Sequence, residues 1–358
     1  MPAFNQPAQP AQPAQPAAEA PKRDIVSVLS IDGGGIRGII PARILQEIEE
    51  ITERPIADLF DLVAGTSTGG ILALGLNKPA EGGGPQYSAR DLVALYETEG
   101  ERIFHRSPWH RLYAINNLAD EKFDAHGIEA VLAEYFGQTM LSEALNNVLV
   151  TSYDIERRAP YFFKSYRAQL DDTRDTMMAA AGRATSAAPT YFEPTRIDIA
   201  DSSDYRALVD GGVFANNPTM CAYAEAKDLF PEASQYLVVS LGTGQLTRRI
   251  PLDEAQGWGL AMWAQPLLGV VFDGVTDSVD YQVSMLCKTD SDVRRYYRFQ
   301  VELSEGSDDM DDATPTNLRV LRLLAERLVT DRGSDITALC KQLQELAPPA
   351  VSSGYGVA

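Results

Sequence analysis

Apolar residues gather along this chain in two alternating kinds of run. Short, dense runs rich in β-branched side chains end in glycines, and between them apolar residues recur every three or four positions. The run Ile25–Ile31 (IVSVLSI) predicts a strand buried on both faces. Pro41 then falls in the first turn of a predicted helix, with Ile44, Leu45, Ile48 and Ile51 on one face. The unit repeats: a dense run Leu59–Ala64, a glycine turn Gly65–Gly70, and an apolar helix from Ile71. Val148–Ser152 and Tyr236–Leu241 predict further buried strands, the second closing in Gly242-Thr243-Gly244. Strands alternating with helices predict an α/β fold with a mainly parallel central sheet flanked by helices. Ligands of such sheets bind where strands turn into helices.

The C-terminal part predicts a helical extension. Thr314-Pro315 reads as a cap followed by proline, with Leu318, Leu321, Leu324 and Leu328 at helical spacing. Ser334 is placed to cap a last helix carrying Ile336, Leu339, Leu343 and Leu346, and the acidic stretch 305–312 predicts an exposed loop. Residues 1–23, built of Pro, Ala and Gln, bury too little apolar surface to offset their ordering entropy and predict a disordered tail. With no strong linker inside 24–347, one elaborated domain is expected there, followed by a flexible tail over 348–358.

Composition narrows the partners. Fifty acidic against 31 basic residues give a formal charge of −19, which repels nucleic-acid phosphates and anionic membranes alike. Two basic clusters, Arg102/His105/Arg106/His110/Arg111 and Arg294/Arg295/Arg298, read as ordinary solvated faces. Cys221, Cys287 and Cys340 are odd in number and widely spaced, which fits a reducing cytoplasm rather than a disulfide framework or zinc site. The N-terminus lacks the basic start and apolar run of a signal peptide, and no uncharged apolar stretch is long enough to span a bilayer. No cofactor or metal is expected.

Three glycine-rich motifs carry candidate chemistry. Gly65-Thr66-Ser67-Thr68-Gly69 puts a serine on a strand-to-helix turn whose flanks must be small, with a helix N-terminus behind it to favour developing negative charge. Serine is a weak nucleophile and needs a base. The histidines of the chain, His105, His110 and His126, lie in a polar, aromatic segment and read as surface or helix-end residues. Earlier, Gly33, Gly35 and Gly38 satisfy the spacing of a dinucleotide fingerprint, but the second strand ends in the serine turn where a ribose-holding acid would stand. Unshielded amides of an oxyanion hole are the better reading. Arg37 either steers a lipid phosphate or ties this loop, with the tie favoured. The third motif, Leu208–Pro218, sets Asp210-Gly211-Gly212 at the end of an apolar run.

In this order, and with Ser186–Phe192 and Ser240–Gly244 beside them, the motifs resemble bacterial members of the patatin-like phospholipase family over roughly Ile25–Gly244. The resemblance implies a three-layer α/β fold and a Ser-Asp dyad: Ser67 as nucleophile, Asp210 as general base, and amides of Gly34 and Gly35, helped by Gly33, as oxyanion hole. It implies lipid ester hydrolysis through an acyl-serine, on phospholipids or lysophospholipids among other lipids, by an enzyme peripheral at the membrane. Asp32 competes with Asp210 for the role of base. Asp210 is expected to be unprotonated at neutral pH. Some bacterial relatives are effectors switched on by a partner or a cyclic oligonucleotide, so a small-molecule or protein activator is an alternative. The nearly uncharged segment 257–272, with Trp258 and Trp263, is either a core helix with its cap or a lid or interfacial patch.

Overall fold

The computed structural model describes residues 24–104, 123–247, 249–288, 293–307 and 309–347. The tails expected over 1–23 and 348–358, and His105, Arg106, His110 and Arg111, lie outside the described residues.

The strands are β1 (Ile25–Ile31), β2 (Leu62–Thr66), β3 (Asn147–Asp154), β4 (Ala159–Lys164), β5 (Thr195–Asp198), β6 (Tyr205–Asp210), β7 (Gln235–Leu241), β8 (Gln245–Leu246), β9 (Tyr296–Phe299) and β10 (Glu302–Leu303). Among the described residues, β3-β2-β1-β7-β9 form a parallel block; β4, β5 and β6 extend it antiparallel at one end. The ribbon β8-β10 stands apart. The principal helices are α1 (Ile39–Thr52), α2 (Thr68–Leu76), α3 (Ala89–Ile103), α4 (His126–Phe136), α5 (Met178–Thr185), α6 (Thr219–Leu229), α7 (Leu260–Leu286), α8 (Pro315–Asp331) and α9 (Gly333–Leu346).

Alternation along β1 makes the three layers. Val26 and Val28 point to a cluster with Ala222 and Ala226 of α6 and Val283 of α7. Leu29 and Ile31 point the other way, to Ile44, Leu45 and Ile48 of α1 and Leu339 of α9. Each such fully buried Ile or Leu contributes about 1.5–3 kcal/mol, so a sheet clad on both faces holds its strand ends firmly.

Four local expectations change. The second dense run is not all strand: Ile56–Leu59 is a helical turn after Pro55, and β2 begins at Leu62. A run of six residues is too short for periodicity to separate the two. Ile51, assigned to the buried face of α1, is 38% exposed. Ser334 caps nothing, because Arg332 alone separates α8 from α9 and the latter starts at Gly333. Thr314 does cap α8, its hydroxyl accepting the Asn317 amide at 3.3 Å. Finally, the run Arg294–Arg298 is a solvated face only in part: Arg294 is exposed and pairs with Asp335, but Arg295 donates to Gln235 and Gln342, and the side chain of Arg298 is only 11% exposed.

Candidate active site

The register of β3 brings two distant motifs together. Along one edge β3 pairs with β4 over Leu149–Asp154. Along the other, β2 occupies the stretch up to Thr151, which lies opposite Thr66. There β2 ends and β6 takes over the same edge, with Asp210 opposite Ser152. The residue after Thr66 is Ser67, so the end of a parallel strand and the end of an antiparallel one meet head to head.

Ser67 occupies the sharp turn the motif predicts. Its backbone has φ 54° and ψ −123°, a conformation rare for a non-glycine residue and costing on the order of 1–3 kcal/mol. The Ser67 amide donates to Thr185 Oγ1 at 2.8 Å, and the Ser67 carbonyl accepts the Ile71 amide at 3.1 Å. Packing dictates the flanking glycines. A side chain on Gly65 would strike the Gly69 carbonyl, and one on Gly69 would strike that of Ile31. All of α2 behind the serine is buried.

Asp210 is 2% exposed. Burial pushes its pKa up to about 7, against the opposing pull of the Gly212 amide, which is hydrogen-bonded to its carboxyl, and of the Ser67 hydroxyl beside it. The Gly212 bond is 2.7 Å and goes to Oδ1, which fixes the rotation of the carboxyl group. Gly211 packs against Thr151, leaving no room for a side chain. The expectation of an ordinary, fully ionised carboxylate at neutral pH is therefore corrected: the group titrates near neutrality because its surroundings are dry.

Asp32, the rival base, faces elsewhere. It is buried in an ion pair with Arg298 at 2.6 Å, and Arg298 also donates to Ser240 Oγ at 2.8 Å. The pair ties the end of β1 to β7 and β9. His126 has an 88% exposed side chain at the start of α4, as a helix-end histidine should.

The glycine loop stands beside the serine: a Cβ on Gly33 would lie 3.3 Å from that of Ser67. Its three amides are not equivalent. That of Gly33 donates to the Asn216 carbonyl at 2.9 Å, so Gly33 is corrected from oxyanion donor to anchor. Among the described residues, the amides of Gly34 and Gly35 have no backbone acceptor. Arg37 is buried and its Nε donates to the Gly34 carbonyl at 3.2 Å, which favours the tie over phosphate steering. Gly38 makes room for the hydrogen-bonded pair Thr68 and Tyr96.

Ser67, Asp210, Gly34 and Gly35 line one pocket, whose empty space of about 820 Å³ includes open solvent. Its walls are apolar, from Ile71, Leu95, Leu132, Phe136, Phe192 and others. Phe272 of α7 and Met310 also line it. Met310 corrects the picture of 305–312 as a merely exposed loop, since its carbonyl accepts the Ile36 amide at 2.9 Å and its side chain turns inward. Sequence reasoning missed Thr185, Asn216, Thr243 and Met310; Asn216 and Thr243 lay inside motifs it had singled out without giving them a role.

The family model described as patatin-like phospholipase matches residues 29–223. The chain belongs to this family. The match spans the glycine loop, Ser67 and Asp210. Patatin-like protein 4 of Arabidopsis thaliana is 33% identical over 86% of this chain and 84% of its own length. A potato (Solanum tuberosum) relative named "Probable inactive patatin-3-Kuras 1" is 32% identical over 87% of this chain and 88% of its own. The solved structure of VipD from Legionella pneumophila covers 87% of this chain and 67% of its own at 14% identity and a TM-score of 0.35, a distant likeness on which nothing further rests. The family implies lipid acyl hydrolase activity, and a relative named inactive means catalysis must be argued from this chain's own patatin-like site.

Two outcomes follow from a carboxyl that titrates near 7. If Asp210 acts unprotonated, kcat/KM on a soluble ester rises tenfold per pH unit below about 7 and levels above it; a limb near pH 4 would contradict the burial argument. The folded pKa is raised, so the unfolded chain releases this proton first and stability falls as pH climbs from about 4 to 7. Asp210→Asn therefore abolishes turnover yet raises stability at pH 8 by roughly 4 kcal/mol at most, seen as a higher melting temperature, while Asp32→Asn keeps a measurable fraction of activity. The reverse activity pattern would move the base to Asp32.

Proposed function

We propose that this protein hydrolyses acyl esters of phospholipids or lysophospholipids through an acyl-Ser67 intermediate, with Asp210 as general base. The observation that carries this reading is that the strand register sets Ser67 beside the buried carboxyl of Asp210 and that both line one apolar pocket.

The acyl chain lies in the pocket, where its methylenes leave water at about 0.8 kcal/mol each. Ser67 Oγ attacks the ester carbonyl as its proton passes to Asp210. A carboxyl near pKa 7 is a far better proton acceptor than one near 4, and at neutral pH about half of it is ionised. The tetrahedral oxyanion is held by the amides of Gly34 and Gly35. Collapse returns the Asp210 proton to the leaving alkoxide. Water then gives a proton to Asp210 as its oxygen attacks the acyl-serine, and the carboxyl restores the hydroxyl of Ser67 while the fatty acid departs. No imidazole is required.

Access to lipid is assigned to α7. Its Phe272 is buried against the pocket and Gly212, while Met262, Leu267 and Val270 are 57%, 49% and 47% exposed. From Ala255 to Phe272 the chain carries no charge, although the protein as a whole is at −19. Trp258 and Trp263 meet edge to face at 5.1 Å at the start of this helix. No helix among the described residues is long and apolar enough to cross a membrane. The segment is thus neither a plain core helix nor a span, and its apolar flank suits insertion into a neutral bilayer surface.

Digestion of a mixed phospholipid and lysophospholipid preparation, read by mass spectrometry, should release fatty acids with the native chain and none with Ser67→Ala. Equal release by both would end the proposal. For the interface, Leu267→Glu/Val270→Glu should lower binding to phosphatidylcholine vesicles at least tenfold while sparing hydrolysis of a short soluble ester; unchanged vesicle binding would count against α7.

A further inference from the structure

The Gly34 and Gly35 amides of the glycine loop point where they do because other groups hold the carbonyls of the same peptide units. In a trans peptide the C=O of one residue and the N–H of the next face opposite ways, and no peptide among the described residues is cis. The Gly33 carbonyl accepts the Thr243 hydroxyl at 2.6 Å. That turns the Gly34 N–H away from Thr243. The Gly34 carbonyl accepts the amide and the Nε of Arg37, both at 3.2 Å. That turns the Gly35 N–H away from Arg37. Gly34 and Gly35 line the pocket with Ser67, whereas Thr243 and Arg37 do not line it. Two successive donors thus face the pocket because two buried side chains grip the backs of their peptides.

Thr243 is the grip that the chain builds from a separate strand. It is 3% exposed and follows β7, the strand parallel to β1 in the register Ile31↔Leu241. It also packs on the loop directly: a Cβ on Gly34 would stand 2.6 Å from the Cβ of Thr243. Gly244 after it donates its amide to Gln300 Oε1 at 2.8 Å, which fastens this turn in its own right. The loop is pinned on other sides by the Gly33 amide to Asn216 and the Ile36 amide to Met310. Of these ties, only the bond from Thr243 acts on the peptide that carries the Gly34 donor's N–H.

We infer that Thr243 is a positioning residue for the oxyanion hole, aiming the Gly34 amide by holding the Gly33 carbonyl. This inference rests on the hydrolytic reading of Ser67. A donor mis-aimed by a few tenths of an ångström is lost where charge develops and matters little to a neutral ester, so the effect belongs to kcat and not to KM.

The test compares Thr243→Val, which keeps the shape and deletes the hydroxyl, with Thr243→Ser, which keeps the hydroxyl and deletes a methyl. The readouts are steady-state hydrolysis of a soluble ester and the rate at which a fluorophosphonate labels Ser67, whose transition state also bears an oxyanion. The Val variant should lose about ten- to a hundred-fold in kcat and a similar factor in labelling, with KM within about twofold and an unchanged melting profile; this is part of the hundred- to thousand-fold that a whole donor is worth. The Ser variant should recover to within about threefold of native. Should Val fold poorly, Thr243→Ala against Thr243→Ser gives the same contrast. Native-like kcat in Val, or losses in Ser as large as those in Val, would overturn the inference while a Ser67-dependent native enzyme stands. Absence of any Ser67-dependent turnover in the native chain would overturn the hydrolytic reading and this inference together.

Discussion

The candidate site depends on one handover along a single strand edge. β3 is paired by β2 as far as Thr151 and by β6 from Ser152 onward. Because the two partners run in opposite directions, both end at the same point, and the residues at their ends, Ser67 and Asp210, confront each other. The same closure dries the carboxyl, and the lack of water is what lifts its pKa to about 7. Geometry and basicity therefore share one cause. A buried carboxyl is unfavourable for stability once ionised, and the structure keeps it where a strained serine at φ 54° also sits. Two local costs at one place are what a site preorganised for chemistry looks like.

The layers were legible because the buried strands are dense in β-branched residues and the helices show their period. Ile25–Ile31 and Gln235–Leu241 are strands close to where the pattern predicts them. What the pattern did not carry was direction. Nothing in Tyr205–Asp210 marks it as antiparallel, and that orientation is what sets Asp210 opposite Ser152. The motifs identified which serine and which aspartate to consider, while the pairing that joins them is a tertiary fact. Local errors had local causes, such as the run from Leu59 that conflated a helical turn with β2, and the serine at 334 that has no linker in which to cap.

The glycine loop shows the same division. Glycines are readable as positions where side chains have no room, but not as donors that are free or occupied. The Gly33 amide is spent on Asn216, and the Gly34 and Gly35 amides owe their orientation to Thr243 and Arg37. Thr243 stands 210 residues from Gly33 in the chain. The family match ends at residue 223, whereas Thr243, Phe272 and Met310 lie beyond it. The C-terminal third thus supplies a wall of the pocket and a brace for the loop, and is more than an appendage.

The most direct measurement of the proposed chemistry is mass spectrometry of the protein after reaction with a fluorophosphonate. The account predicts a single phosphonyl adduct on the peptide containing Ser67, formed at a rate that rises with pH through about 7 and collapses in Asp210→Asn. An adduct on a different serine, or labelling of Ser67 at an undiminished rate without the Asp210 carboxylate, would contradict it.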